Sequence, residues 1–268
     1  MSIKTVPTEK IGDGIYLINE FDSTNCYLVV GSEKALLIDC GTGFCNLREA
    51  AEKLTDKPII LTATHGHVDH IGGAGQFEEL YLHKADCRLF NKIQTAVPVR
   101  KLFVAFSGVI KENGFSKSDV KKGKYKTKII PFDSNFVFDL GDRKVTVHHT
   151  PGHTKGSVAF IDDREKFIFS GDNVCDALWM HLPGSTSLEE WLPSAEWLYE
   201  MSGEYRVFWG HRTPELSKEY IGKVISWGKE TISRQKRNSI LPKIKQYPPQ
   251  EDGILYKTNK VHRKERLL

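Results

Sequence analysis

Short apolar runs separated by turn-forming residues dominate the first third of the chain. Gly14–Asn19, Cys26–Val30 and Ala35–Asp39 are rich in Ile, Leu, Val and Tyr, and Gly, Asp, Ser and Asn bound them. Such runs predict strands of one sheet. The pattern then predicts a helix at Asn46–Leu54 and a further strand at Pro58–Thr64. Strand, helix and strand in that order favour an α/β fold.

The second half of the chain repeats this pattern after an interruption. Residues 91–126 are rich in lysine and broken by Pro and Gly, which predicts helices and loops that cover the sheet. The apolar runs that follow predict a second set of strands: Phe136–Leu140, Lys144–His148, Ser157–Ile161, Lys166–Ser170 and Arg206–Trp209. The S-x-x-E sequence at Ser187–Glu190 is a capping box that predicts the start of a helix.

The C-terminal part completes the predicted domain. Lys218–Arg237 predicts a helix, and Pro248–Leu268 predicts a short hairpin around Asn259. The chain shows no internal repeat and no low-complexity tract that would divide it. We therefore expect residues 1–268 to form a single domain, with a helical cover at about 91–126 and a basic C-terminal extension at about 229–268.

Composition narrows the class of protein. The chain has 268 residues, 40% hydrophobic and 27% charged, values typical of a folded domain and not of collagen, a coiled coil or a disordered chain. No apolar run approaches the roughly 20 residues of a membrane helix, so we expect no membrane partner. The five cysteines are an odd number without regular spacing, which favours free thiols and a cytoplasmic location.

The positive charge belongs to the C-terminal end. Residues 229–268 contain 11 basic and 4 acidic residues, a net charge of +7, which leaves −3 on the remainder of a chain whose total is +4. This end lacks interleaved aromatic residues and any nucleic-acid motif, so a solvated face is expected and a nucleic-acid partner is disfavoured. A small-molecule substrate is the expected partner. The oligomeric state is left open, with a homodimer as one alternative.

The segment Thr64–His70 concentrates metal-binding residue types directly after an apolar run. His65, His67, Asp69 and His70 lie within six residues. With 10 histidines in the chain, a chance match to H-x-H-x-D-H is expected on the order of once in a thousand such sequences. Imidazole and carboxylate groups suit Zn, Fe or Mn. The loop therefore predicts a site for metal ions, with a solvated His-rich turn as the alternative.

Three further candidates follow strand-like runs elsewhere in the chain. They are His153 in Thr-Pro-Gly-His, Asp172 in Ser-Gly-Asp and His211 in Trp-Gly-His. A glycine adjoins each of them, which suits the tight backbone bends that bring side chains to one point. We expect these three side chains to meet the H-x-H-x-D-H loop.

With these motifs the chain resembles the metallo-β-lactamase-fold hydrolase superfamily, within its glyoxalase II-like and lactonase-like branches. The H-x-H-x-D-H loop, TPGHTKGS, SGDN and WGHRTP occur in the family's order. The resemblance implies a four-layer αββα sandwich with the site at one edge of two packed sheets. It also implies a ligand set: His65, His67 and His153 for a first metal, Asp69, His70 and His211 for a second, and Asp172 as a bridge. Asp39 is expected to support the ligands from outside the set.

The resemblance implies two divalent metal ions, with zinc expected and iron or manganese as alternatives. Two such ions supply hydroxide at neutral pH and polarise the bond under attack. We expect this hydroxide, oriented in part by Asp69 as the catalytic residue, to cleave an ester, thioester, lactone or phosphodiester bond. Trp179 and His181 are candidates for the substrate pocket, because this stretch is aromatic.

Differences from the patterns of particular branches of the family reduce the number of candidate activities. One class of β-lactam-hydrolysing members has Cys where this chain has Asp172, which disfavours antibiotic hydrolysis. Flavodiiron oxidoreductases have Glu where this chain has His67, and Val174–Asp176 lacks the tyrosine of the lactonases. Two other classes stay open. One is an oxidoreductase similar to the persulfide dioxygenases with a single iron, and the other is a non-catalytic metal-binding protein.

Overall fold

Two β-sheets packed face to face form the centre of the molecule, which a computed structural model describes at residues 5–90, 95–212, 214–249 and 252–263. The first sheet contains, side by side in chain order, β1 (Thr8–Gly12), β2 (Ile15–Asn19), β3 (Asn25–Val30), β4 (Ala35–Ile38), β5 (Ile59–Thr62), β6 (Glu79–His83) and β7 (Lys128–Phe132). The strands β1 to β4 are antiparallel neighbours, whereas β4 to β7 are parallel.

The second sheet is built from the later part of the chain. Its strands are β8 (Val137–Asp139), β9 (Lys144–His149), β10 (Val158–Asp162), β11 (Phe167–Phe169), β13 (Arg206–Phe208) and β14 (Glu215–Leu216), in the order β14-β13-β11-β10-β9-β8. The pair β11 and β13 is parallel, so the carboxyl ends of these two strands lie at the same edge. That edge carries the candidate site.

Apolar residues on both faces of the strands produce four layers. In β3, Tyr27 and Val29 point between the sheets, where they pack with residues such as Phe160 and Phe169 of the second sheet. The alternate residues of β3 join the core beneath the helices, because successive strand residues point to opposite faces. The four-layer αββα sandwich implied by the resemblance is therefore confirmed.

Helices cover the outer face of each sheet. The first sheet is covered by α1 (Leu47–Glu52), α2 (Val68–Ile71), a 3-10 turn (Gly72–Gln76), α4 (Val97–Phe106) and α5 (Gly108–Glu112), with the short α3 (Cys87–Leu89) between them in sequence. The second is covered by α6 (Leu188–Met201) and α7 (Lys218–Arg234). The predicted capping box at Ser187 is present, and Trp191 of α6 is fully buried. No helix in the described ranges is long and apolar enough to span a bilayer.

A third, small sheet lies beside α7 and was not expected from the sequence. It consists of β12 (Trp179–Met180), β16 (Ile254–Lys257) and β15 (Ile244–Tyr247) in that order. The predicted hairpin around Asn259 is therefore wrong: β16 pairs with the upstream strand β15, and Asn259 lies in a turn after β16. After that turn, residues 261–263 do not return along β16, because Val261 and Arg263 contact Glu189 at the start of α6. The end of the predicted hairpin, residues 264–268, lies outside the described residues.

Glu20 is a buried carboxylate that fixes the loop after β4. It accepts hydrogen bonds from the backbone N–H groups of Thr42 at 2.6 Å and Gly43 at 2.9 Å. Arg100 of α4 donates to the carbonyl oxygens of the same two residues, so the loop is held from both sides. Burial raises the pKa of Glu20 to about 7, against the opposing effect of the backbone donors.

This carboxyl group predicts a pH dependence of stability. The folded protein retains the Glu20 proton to about pH 7, whereas the unfolded chain releases it near the ordinary glutamate pKa of 4.5. Its contribution is therefore fully present below pH 4.5 and is lost as the pH rises to 7, a change of about 3 kcal/mol in the free energy of unfolding.

Urea unfolding of the wild type and the Glu20→Gln variant at several pH values across that window measures this contribution. The amide does not titrate, so we expect a shallower fall in stability with pH for the variant. The variant's stability at a single pH is not the readout, because the amide N–H group also faces backbone donors. Parallel pH curves for the two proteins would contradict the assignment.

Candidate metal centre

The H-x-H-x-D-H loop connects β5 to α2. His65 and His67 lie before the helix, and Asp69 and His70 lie in its first turn. Side chains leave an extended segment and a helical turn in different directions, so the loop presents donors on two sides. This one short segment can therefore supply ligands to two separate groups.

The other three candidates follow strands of the second sheet. His153 comes four residues after β9, Asp172 three residues after β11 and His211 three residues after β13. Gly171 between β11 and Asp172 has a φ of +56°, which glycine adopts without strain. A Cβ at Gly210 would lie 2.3 Å from Asp172 Oδ1, so only glycine lets the two loops approach this closely.

The structure brings all seven predicted donors together as two groups. Within each group the donor atoms lie within 4.8 Å of one another, and the groups are His65, His67 and His153, and Asp69, His70, Asp172 and His211. Asp172 Oδ2 lies 3.1 Å from His211 Nε2, 3.4 Å from His70 Nε2 and 3.8 Å from His153 Nε2. Asp172, a member of the second group, therefore also lies next to His153 of the first group.

Several of these buried ligand atoms have no hydrogen-bond partner among the described residues. They include His65 Nε2, His70 Nε2 and Asp172 Oδ1. His67 Nδ1 and His153 Nε2 face each other at 2.8 Å, a contact of two ring nitrogens. Buried polar atoms are normally satisfied, and cations between these lone pairs would satisfy them. The donor set fits the divalent metals implied by the resemblance.

Asp39 fixes the orientation of two of the imidazoles. His70 Nδ1 donates to Asp39 Oδ2 at 2.9 Å, which leaves Nε2 free for a metal. The Thr64 hydroxyl donates to the same carboxylate at 2.9 Å and lies 3.1 Å from His65 Nδ1, so it can accept the proton of that ring. Asp39 has the expected supporting position, and its own φ of +65° turns it into the site.

Backbone carbonyls fix two further rings. His67 Nε2 donates to the carbonyl oxygen of Pro183 at 2.9 Å, and His211 Nδ1 donates to that of Ser23 at 2.5 Å. In each case the other ring nitrogen points into the cluster, where it can bind a metal once it carries no proton. The surroundings therefore select the tautomer that a metal ligand requires.

The two groups differ in their affinity for protons. Burial, with help from neighbouring imidazoles, lowers the pKa of His65 and His153 well below its usual value, so both rings are neutral. Burial acts the same way on His70 and His211, but Asp172 and other carboxylates outweigh it. They raise the pKa of His211 to about 8 and that of His70 well above its usual value. Cation binding to the second group would therefore release protons.

Asp86 is a site residue that the sequence analysis did not single out. This buried carboxylate accepts hydrogen bonds from Gly66 N at 2.9 Å, Thr154 Oγ1 at 2.6 Å and Gly156 N at 2.8 Å. It thereby joins the loop of His65 and His67 to the loop of His153. No motif marks Asp86; its only sequence signal is its position four residues after the end of the strand-like run at Leu80–Leu82.

Trp179 and His181 lie in β12 and just after it, outside the cluster. Trp179 is 45% exposed on β12, and its ring centroid is 5.8 Å from that of His181. The hydrogen bonds and ring contacts of the described residues join neither side chain to the seven donors. The chain then continues to Pro183, which accepts the hydrogen bond of His67.

Comparison with known proteins agrees with this architecture. The family model of the metallo-beta-lactamase superfamily matches residues 19–211. The human protein named acyl-coenzyme A thioesterase MBLAC2 is 30% identical over 244 residues, which cover 80% of this chain and 86% of that protein. An uncharacterized protein of Aquifex aeolicus is 26% identical over 221 residues, covering 79% and 90%.

Solved structures show the same fold. A metallo-beta-lactamase family protein from Thermus thermophilus superposes with a TM-score of 0.62 at 20% identity, covering 84% of this chain and 83% of that one. A match that spans both sheets and the convergent loops, together with the identity to a curated relative, establishes the family. The chain belongs to the metallo-beta-lactamase superfamily.

Proposed function

We propose that the protein is a hydrolase of acyl thioesters, with acyl-coenzyme A compounds as the substrate class. The observation that carries the proposal is the convergence of seven donors on one sheet edge, which fits two divalent cations. The name of the human relative, an acyl-coenzyme A thioesterase, supports the choice of bond. Zinc is the proposed metal, since imidazole and carboxylate donors suit it, and iron or manganese would accept the same donors.

Cations held in the cluster would supply hydroxide at neutral pH and polarise the thioester carbonyl. We assign to Asp69 the role of orienting the attacking water. Its carboxylate is 15% exposed, compared with 10% for Asp172, and its Oδ2 lies 3.5 Å from His211 Nε2. An acceptor at the open side of the cluster can take a proton from that water.

Among the candidate bonds, a thioester has the least need of a residue that protonates the leaving group. A thiol has a pKa of about 8.5, so a thiolate leaves near neutral pH without first receiving a proton. An alkoxide is far more basic and needs a positioned acid. Trp179 offers an exposed apolar surface four residues before Pro183, and we assign this surface, with His181, to the acyl side of the substrate.

Activity on matched substrates tests this proposal. Acyl-coenzyme A compounds of several chain lengths, the corresponding oxygen esters, a lactone and a phosphodiester are offered to protein loaded with zinc. We expect kcat/KM for the thioester to exceed that for the oxygen ester by about tenfold or more. A chelator should remove the activity, and added zinc should restore it.

Two outcomes would replace the proposal. Full metal occupancy without turnover of any substrate would favour a non-catalytic metal-binding protein. A single bound iron with oxygen uptake on glutathione persulfide would identify an oxidoreductase similar to the persulfide dioxygenases. Metal content and oxygen consumption are therefore measured on the same preparation.

A further inference from the structure

Three strongly exposed apolar side chains lie close together near the C-terminal end. Ile240 is 98% exposed, Leu241 is 72% exposed, and Ile244 at the start of β15 is 59% exposed. Water contact with large aliphatic side chains is unfavourable, and a run of them on one loop is typical of an interaction site. We call residues 239–243 the apolar loop.

The apolar loop has a defined conformation at its base, because both of its ends form hydrogen bonds with Thr258. Ser239 N donates to the carbonyl oxygen of Thr258 at 2.9 Å, and Thr258 N donates to that of Lys243 at 2.9 Å. The Thr258 hydroxyl, which is buried, also accepts from Lys243 N at 3.0 Å. The base is therefore fixed while Ile240 and Leu241 project outward.

Cationic residues lie within this loop and on both sides of it in the sequence. Lys243 belongs to the loop, Lys236, Arg237 and Lys245 flank it, and the sequence from 235 to 249 contains no acidic residue. None of the four forms an ion pair with a carboxylate of the described residues. Basic residues just upstream are neutralised, as in Lys229 with Glu196 at 2.7 Å and the pair Arg234 and Glu230. The positive charge is thus concentrated around the apolar loop.

We propose that residues 236–245 dock this protein on the surface of an anionic phospholipid bilayer. A projecting apolar tip can enter the boundary between headgroups and acyl chains while the surrounding cations meet the anionic headgroups. Other partners fit this surface less well. A protein partner would need a groove that matches the loop, and a nucleic acid would leave the apolar tip exposed to water. A second copy of the chain would bring two positively charged surfaces together, which repel each other. This docking replaces the expectation of a merely solvated basic end without a membrane partner.

The sheet that carries the loop is linked along the chain to the candidate metal centre. β15 pairs with β16, β16 pairs with β12, and the chain then runs from β12 to Pro183, which His67 contacts. The docking inference does not depend on the proposed function. If both hold, amphipathic acyl thioesters that collect at a lipid surface would meet the enzyme there.

Flotation with lipid vesicles tests the inference on the full chain. We expect binding to vesicles of phosphatidylcholine with phosphatidylglycerol, little binding to phosphatidylcholine alone, and weaker binding as salt rises. The double variant Ile240→Ser, Leu241→Ser should reduce the bound fraction about tenfold, and Lys243→Glu, Lys245→Glu should have a similar effect. Phe106→Ser, at a 79% exposed apolar residue of α4, serves as the matched control and should bind as the wild type does.

The variants also separate this inference from the proposed function. The four substituted side chains are exposed, so the melting temperature and the hydrolysis of a short-chain thioester should not change in either double variant. Equal binding of the wild type and both double variants, or binding that ignores lipid charge and salt, would overturn the inference. A dimer in solution that the Ile240→Ser, Leu241→Ser variant loses would reassign the loop to a second copy of the chain.

Discussion

The Asp172→Asn variant is expected to lose thioester hydrolysis by more than about 100-fold in kcat/KM. Loss of an outer hydrogen-bond partner of a metal ligand typically costs 10- to 100-fold, and Asp172 is itself the proposed bridge. The amide keeps the shape of the side chain but removes the negative charge between His211 Nε2 at 3.1 Å and His70 Nε2 at 3.4 Å. Both cations would lose a shared anionic ligand.

Three measurements distinguish metal loss from misfolding in this variant. Bound metal per chain should fall, the increase in melting temperature on adding zinc should shrink, and the fold of the metal-free protein should persist. Asp56→Asn makes the same change at a side chain that is 87% exposed, and it should leave all three unchanged. Wild-type metal content together with wild-type activity in Asp172→Asn would contradict the assignment of this carboxylate.

The Asp86→Ala variant is expected to lose both stability and metal affinity. Removing the carboxylate leaves the buried donors of Gly66, Thr154 and Gly156 without their acceptor, which should lower the free energy of unfolding by about 2–5 kcal/mol. Because these donors belong to two ligand loops, zinc affinity should also fall by about 10- to 100-fold.

Zinc titration of the folded variant, below its melting range, separates positioning from stability alone. Asp133→Ala is the control, since this carboxylate is 60% exposed and pairs with Lys84 at the surface. A variant that is less stable but binds zinc with unchanged affinity would show that Asp86 does not position the ligands. Asp86→Asn keeps one acceptor oxygen and should fall between the wild type and Asp86→Ala.

The strands and the seven donors could be predicted because they depend on local signals. Alternating or continuous apolar runs mark strands wherever the fold buries them, so β3 and β4 begin and end within one residue of the prediction. The H-x-H-x-D-H spacing carries its information within one loop. Glycines beside His153, Asp172 and His211 mark the turns that bring them to it.

Other features could not be predicted because they depend on contacts between distant residues. Glu20 and Asp86 are single acidic residues in unremarkable sequence, and they gain a role only when backbone N–H groups from other loops surround them. The pairing of β16 with β15 was missed for a similar reason. A turn residue such as Asn259 marks a bend but does not specify which strand lies beside the one that precedes it.

Bound metal would make the whole molecule more rigid, because the ligands come from both sheets. Each of the two groups takes ligands from both sheets, with His153, Asp172 and His211 from the second and the rest from the loop after β5. A cation bound in either group would add a direct cross-link between two halves that already meet through the apolar core and through hydrogen bonds such as those of Asp86, and so would resist sliding of one sheet over the other. Scarcity of the metal would then weaken the architecture as well as the chemistry.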